Sequence, residues 1–408
     1  MTNYLITQNS TTTDISNTSL GSYVSTTRLF DNYGYIRDFP LQSYLYGLGA
    51  NDRAQLGLND QTYRSSAVLL GSGVGWASIS CDALGVHAIK SDGTLWGWGA
   101  NDYGQIGDNT SNFLQGKSSP TQIGADTNWL MVERSIYSTF AIKTDGTLWS
   151  WGHNYRAQLG YGPPSFTFGS LSNNVSSPTQ IGTDNKWVSV KSDQGNHRAF
   201  ALKSDGTLWK WGIDINNITI FSSPTQIGSS RDWSKLVDTY AVIDRYGTLW
   251  IWGQNFYGGF GNSTSGYSDT RGEPVQLGTE NNWKSVIRSE ISATAVKTDG
   301  TLWAWGGSFL NEPPGTGSAK SSPVQIGTSN DWVEVFRYNM AIKADGTLWG
   351  WGSNVPFNGY RLGVTGPESS PVLFGSWNPS RTDWANNWVS VSSVASGFVG
   401  IKDETFFG

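Results

Sequence analysis

The chain has 408 residues, among them 50 Gly and 21 Trp, only 14% charged side chains, and a formal charge of −5 with no block of Lys or Arg. That balance excludes a protein that grips phosphate backbones, so nucleic acid is not an expected partner. One cysteine, Cys81, excludes an internal disulfide and an all-cysteine metal site, and no run of about 20 apolar residues offers a spanning helix, so no membrane insertion is expected.

In chain order, residues 1–41 come first and belong to no repeat; they are rich in Ser, Thr and Asn with scattered Tyr, Leu and Ile. Such a stretch has too little apolar area to order itself, and it reads as a polar arm that docks onto other structural proteins. No basic start followed by an apolar run opens it, so no ordinary secretion signal is expected.

From residue 42 to 408 four signals return in fixed order. LYGLG, ending at Gly49, is a degraded copy of a strand later written TLWxWG, with Trp pairs at 96/98, 149/151, 209/211, 250/252, 303/305 and 349/351. A strand ending in PTQIG or a variant closes at Gly71, Gly124, Gly182, Gly228, Gly278, Gly327 and Gly375. Next comes an alternating strand such as WVSV, led by Trp76, Trp129, Trp187, Trp233, Trp283, Trp332 and Trp388. Strands like HAIK follow, ending at Lys90, Lys143, Lys203, Ile243, Lys297, Lys343 and Lys402.

Seven units of four short alternating strands, joined by Gly-rich turns, predict an all-β, seven-bladed β-propeller of four-stranded antiparallel blades. The first unit begins halfway and the last stops halfway, so the N- and C-terminal strands are expected to pair in one shared blade and seal the ring. Tyr46 and Phe407 align with the same Trp position, and both ends therefore offer the third strand of that blade. Most tryptophans fall at the repeated positions, where wedging blade against blade is their expected task; no cofactor is expected. Asp92, Asp145, Asp205, Asp299 and Asp345 sit in Asp-Gly turns. They read as turn residues, in either a type I′ hairpin or a type I turn with a G1 bulge, and not as catalytic carboxylates.

TDGTLWSWGHNYRAQLG (144–160) and SDGTLWGWGANDYGQIG (91–107) resemble the repeats of the regulator of chromosome condensation family, a seven-bladed propeller, over roughly residues 42–408. The most specific element, W-G-x-N followed by Gln-hydrophobic-Gly, is intact at 99–107 and 152–160. It survives at 49–57 with Leu48 for the tryptophan, is altered at 253–261 and 361–363, and is absent after Trp211 and Trp305. The resemblance implies the fold. The family's exchange-factor role, its plant ultraviolet receptors and its bacterial protein-binding members are three separate functions, and the third fits best, because the basic tail, exchange wedge and Arg-rich face of the others are not found here.

Three histidines, His87, His153 and His197, fall in different blades without metal-ligand spacing, and the chain is not expected to be an enzyme. The connections between first and second strands bring Asp82, Glu133, Arg134, Asp193, His197, Arg198, Asp238, Arg288, Glu290 and Arg337 toward the channel. There they form a ring that either contacts a ligand or pairs with itself. The loops between third and fourth strands carry Tyr161, Phe166, Phe168, Tyr267 and Phe309, which either touch a protein or glycan partner or fold back onto the rim.

The resulting expectation is a non-enzymatic binding or structural propeller: a bacteriophage virion component for decoration, tail or host attachment, meeting a host surface protein or glycan through its loops. A bacterial extracellular or cell-surface adhesin, a protein inhibitor, and a carbohydrate-binding or carbohydrate-active propeller are the alternatives.

Overall fold

A computed structural model of the chain describes residues 43–71, 73–111, 116–162, 173–193, 195, 197–263, 269–288, 291–307, 320–337, 339–352, 368–374, 386–394 and 397–403, together with the backbone of 26–30 and 36–40. The alternating segments form seven four-stranded antiparallel sheets, and the chain is a seven-bladed β-propeller. Blades 1 to 6 start at Trp76, Trp129, Trp187, Trp233, Trp283 and Trp332, each running through four consecutive strands. Blade 7 is built from both ends of the repeat region. Strands Trp388–Val394 and Gly397–Asp403 supply its first and second positions, Ser43–Gly49 the third and Arg64–Leu69 the fourth. The N-terminal segment thus provides the third strand, pairing Tyr44 with Lys402 and Leu48 with Phe398, while Phe407 lies outside the described residues.

Each first strand neighbours the first strands of the two adjacent blades, and the sequence of neighbours closes from blade 7 back to blade 1. Residues 26–30 and 36–40 form a separate antiparallel hairpin within the segment 1–41.

The Asp-Gly turns are type I turns with a G1 bulge. In blade 1 the Gly93 N–H donates to Lys90 O at 2.9 Å and Gly93 takes φ 78°, while Asp92 does not enter the left-handed region. Gly is required here twice over, because a Cβ would stand 2.0 Å from Thr127 O in the linker to the next blade. Asp92 Oδ1 accepts from both the Thr94 N–H and hydroxyl, and Thr94 Oγ1 accepts the Trp96 indole N–H. The same relay recurs at Asp145, Asp205, Asp299 and Asp345.

Blade 4 departs from the expected register. Trp233 pairs with Asp244, as Trp187 pairs with Lys203 in blade 3. The residue equivalent to the repeated lysine is therefore Asp244 and not Ile243, and it stands six residues before Trp250 as Lys203 stands before Trp209.

The W-G-x-N…Gln-hydrophobic-Gly element is a clamp between blades. Its Asn turns the loop inward: Asn101 Oδ1 accepts the Ile106 N–H at 3.0 Å, and Ile106 is fully buried. Its Gln main-chain oxygen then faces the next blade. Gln55 O, Gln105 O and Gln158 O accept the indole N–H of Trp98, Trp151 and Trp211 at 3.0, 2.9 and 2.8 Å, and Gly259 O does so for Trp305 at 3.1 Å. Blades 4 and 6 follow the two loops that lack the element. Among the described residues their indoles, Trp252 Nε1 and Trp351 Nε1, are buried without a partner.

Candidate recognition site on the loop face

In an antiparallel blade the first-to-second and third-to-fourth connections emerge at the same end. The charged ring and the aromatic loops therefore share one face of the propeller, opposite the Asp-Gly turns.

Much of the charged ring is used between blades. Arg134 is completely buried; its Nε donates to Asp82 Oδ2 at 3.0 Å, Nη2 donates to Ala100 O at 3.1 Å, and Nη1 lies 3.2 Å from His87 Nδ1. Asp82 also accepts the N–H groups of Leu84 and Gly85. Burial and the adjacent guanidinium hold the His87 imidazolium well below the usual range, so this histidine is a neutral buried group. Arg288 is 2% exposed and donates to the main-chain oxygens of Trp252, Gln254 and Gly259, while its own N–H reaches Asp238. Glu133 is buried and accepts from Lys191 Nζ at 3.3 Å. Arg337, with a side chain 35% exposed, reaches Asp238 at 2.9 Å. Tyr161 lies half-buried against blades 2 and 3, its hydroxyl donating to Ser150 O. Glu290, Phe166, Phe168, Tyr267 and Phe309 lie outside the described residues.

The remaining candidates meet a cluster that sequence spacing does not reveal. His153, at the end of the third strand of blade 2, and His197, in the first turn of blade 3, have ring centroids 5.7 Å apart. Tyr137 stacks on His197 at 5.2 Å and 17°, Tyr155 on His153 at 5.9 Å and 8°, and Tyr103 from blade 1 lies 4.6 Å from His153. The clamp residue Gln158 organises the pair. Its Oε1 accepts the Arg156 N–H, which fixes the amide orientation, and its Nε2 then faces Nδ1 of His153 at 3.3 Å and of His197 at 3.1 Å. An amide N–H can only donate, so both Nδ1 atoms act as acceptors. His197 holds φ 57°, a left-handed backbone that turns its ring toward Tyr137.

The rim of this platform carries charge. The Arg156 guanidinium lies 5.2 Å from the Tyr155 ring. Arg198, next to His197, lies 3.8 Å from Asp193 and donates to Asn217 Oδ1. Asp193 accepts the hydroxyl of Tyr240, whose proton is held well above the usual phenol range by burial and by that carboxylate. The result is a half-buried surface of three phenols and two neutral imidazoles, flanked by guanidinium groups. Its chemistry is that of recognition: flat faces for stacking, hydroxyls and ring N–H groups for hydrogen bonds, and little side-chain freedom left to lose. Among the described residues no group of three or more His, Cys, Asp or Glu is placed to hold a metal ion.

Burial lowers both histidines to about 4, with His153, Arg156 and Arg198 adding to the effect at His197. Unfolded imidazoles protonate near 6.5. Above that pH both states are neutral, and below it the unfolded chain takes up protons that the native site refuses. Stability should therefore fall as pH drops from about 6.5 toward 4, by up to about 1.4 kcal/mol per pH unit for each histidine. Urea midpoints measured at pH 7.0 and 4.5 should differ for the native sequence and differ less for His153→Gln/His197→Gln; an identical drop in both would contradict the assignment.

Fold and site together define a β-propeller with a packed aromatic and histidine cluster on its loop face. Residues 92–142 and 145–192 match the family model of the regulator of chromosome condensation (RCC1) repeat. Each match starts at an Asp-Gly turn and crosses into the next blade, the first through that blade's second strand and the second to the end of its first strand, so one sequence repeat stitches two blades together. Among curated proteins the chain is 30% identical over 140 residues to the mitochondrial RCC1 domain-containing protein RUG3 of Arabidopsis thaliana, covering 33% of this chain and 28% of that one. It is 26% identical over 230 residues to the ultraviolet-B receptor UVR8 of the same plant, covering 52% of this chain and 49% of that one. The chain thus spans less than half the length of these relatives. Two solved structures share the fold. Human WBSCR16 has a TM-score of 0.72 at 15% identity, covering 89% of this chain and all of that one. Prp20p of Saccharomyces cerevisiae has a TM-score of 0.71 at 16% identity, covering 88% and 91%.

Proposed function

We propose that the propeller is a non-enzymatic scaffold that binds a protein partner through the loop face of blades 1 to 3. The observation that carries this reading is the Tyr103, Tyr137, His153, Tyr155, His197 platform, locked by Gln158 on the ends of rigid strands. Interfaces favour tyrosine and arginine in this kind of setting, where large contact area costs little ordering. The similar Prp20p is itself described by its binding to Gsp1p and histones.

Within that role, the polar segment 1–41 supports docking into a larger assembly, and the regular, nearly cysteine-free repeats support a structural protein of a bacteriophage particle, located in the virion. A carbohydrate ligand is the second reading, favoured by the stacked aromatic rings.

Tyr103→Ala/Tyr155→Ala should lose the partner retained by the native protein after crosslinking in its source, with affinity reduced at least about tenfold, the effect of removing one or two interface anchors. Unaltered retention would refute the site. Binding to a glycan array, abolished by the same double substitution, would replace protein with carbohydrate as the ligand. Deleting residues 1–35 should prevent incorporation into particles, and undiminished incorporation would refute the docking role.

A further inference from the structure

The face opposite the loops carries a second repeated device. In six blades the lysine at the end of the second strand lies over two aromatic rings, that of the first-strand Trp and that of the first aromatic of the third strand. Nζ-to-centroid distances run from 3.5 Å, for Lys297 over Trp303, to 5.5 Å, for Lys402 over Tyr46. Lys203 is typical, at 4.4 Å from Trp187 and 3.6 Å from Trp209. The lysine stem and ammonium cover the rings, leaving the six first-strand tryptophans only 2–4% exposed.

Blade 4 keeps the two indoles and inverts the charge. Trp233 and Trp250 stand edge to face at 5.3 Å, and Asp244 occupies the lysine position. Among the described residues no cation lies over either ring, and Trp233 is the one leading tryptophan of the seven that is not buried. The Asp244 carboxylate accepts the Trp250 indole N–H and the N–H groups of Tyr246 and Thr248, each at 2.9 Å. It therefore stays fixed at the foot of the indole pair. The neighbouring Arg245 is engaged elsewhere, paired with Asp232 at 2.5 Å and with its guanidinium 5.2 Å from the ring of Tyr246, which is 61% exposed.

We propose that this open cradle in blade 4 receives a lysine side chain from a partner protein. Two indole faces attract an ammonium group, and a carboxylate behind them adds the opposite charge that a buried cation needs. The other six blades show the same pair of rings filled by the same group within one chain. A lysine from outside completes the seventh, on the face that the loop-face platform does not use.

The test is a titration of the full chain, followed through its tryptophan indole ¹H–¹⁵N signals, with Nα-acetyl-lysine amide and, as a neutral control of similar shape, Nα-acetyl-norleucine amide. Trp233→Phe and Trp250→Phe assign the two signals. The lysine compound should shift those two saturably, and norleucine should not. Asp244→Asn should weaken the response about tenfold, the scale of one lost charge-assisted contact. Asp244→Lys/Tyr246→Asp rebuilds the turn and the internal lysine of the other blades; it should fold and abolish the response. No saturable shift, an equal response to norleucine, or an undiminished response in that refilled variant would each overturn the proposal.

Discussion

Arg134→Met is expected to lower the unfolding free energy by about 3–5 kcal/mol, the usual cost of breaking a buried ion pair from one side. Both side chains of the Arg134–Asp82 pair are 0% exposed. Without the guanidinium, the Asp82 carboxylate keeps only the Leu84 and Gly85 N–H groups, and Ala100 O and His87 Nδ1 each lose a neighbour on the blade 1 to blade 2 seam. The penalty comes from stranding a charge and not from the net worth of the pair. Asp82→Asn/Arg134→Met should therefore recover much of the loss, since it removes the stranded charge and keeps an acceptor for the Leu84 and Gly85 N–H groups. Arg245→Ala, which removes an ion pair on an exposed surface, should change stability by less than about 1 kcal/mol. Urea unfolding of the four proteins decides the matter; a loss at Arg134 no larger than at Arg245 would show that the seam does not depend on the pair.

The second large effect is expected at the indole clamp. Trp151→Ala should cost about 3–5 kcal/mol, as for other fully buried aromatic rings. Trp151 is 0% exposed and lies 6.2 Å from Trp129 and 5.9 Å from His87, and its N–H is held by Gln105 O. The comparison that isolates the clamp is Trp151→Phe against Trp351→Phe. The first removes a made hydrogen bond, whereas the second removes an indole N–H that is buried without an acceptor among the described residues. The first should be the more destabilising, by about 1 kcal/mol or more. Equal losses would mean that the repeated Gln main-chain contact adds nothing beyond packing.

The fold was legible because its signals are local. An Asp-Gly turn, a Trp at fixed spacing and an alternating strand each act within a few residues, and their sevenfold return leaves little room for another architecture. The split of blade 7 followed from counting half units at the two ends. The register of blade 4 was misread because letters align YAVI with FALK, whereas spacing places Asp244 six residues before Trp250 as Lys203 is before Trp209, and the sheet pairs Asp244 with Trp233. The histidine platform was not legible. His153 and His197 lie in different repeats, and their contact depends on Gln158, a residue the motif already explains by its main-chain role. The one available signal was variation inside the intact motif: His153 and Tyr155 stand where the preceding copy has Ala100 and Asp102. For Arg134 and Arg288 the sequence carried no information on which groups face solvent and which are consumed between blades.

Every surface described above depends on a ring sealed by the two ends of the repeat region. Tyr44 and Lys402 face each other directly across that seal; opposed residues of an antiparallel pair have Cα atoms about 4.5–5.5 Å apart, within the reach of a disulfide at about 4.4–6.8 Å. With Cys81→Ser removing the native thiol, Tyr44→Cys/Lys402→Cys should oxidise to an intramolecular disulfide, seen by mass spectrometry as one crosslinked peptide from a monomer. Free thiols after oxidation, or crosslinks formed only between molecules, would contradict the closed ring.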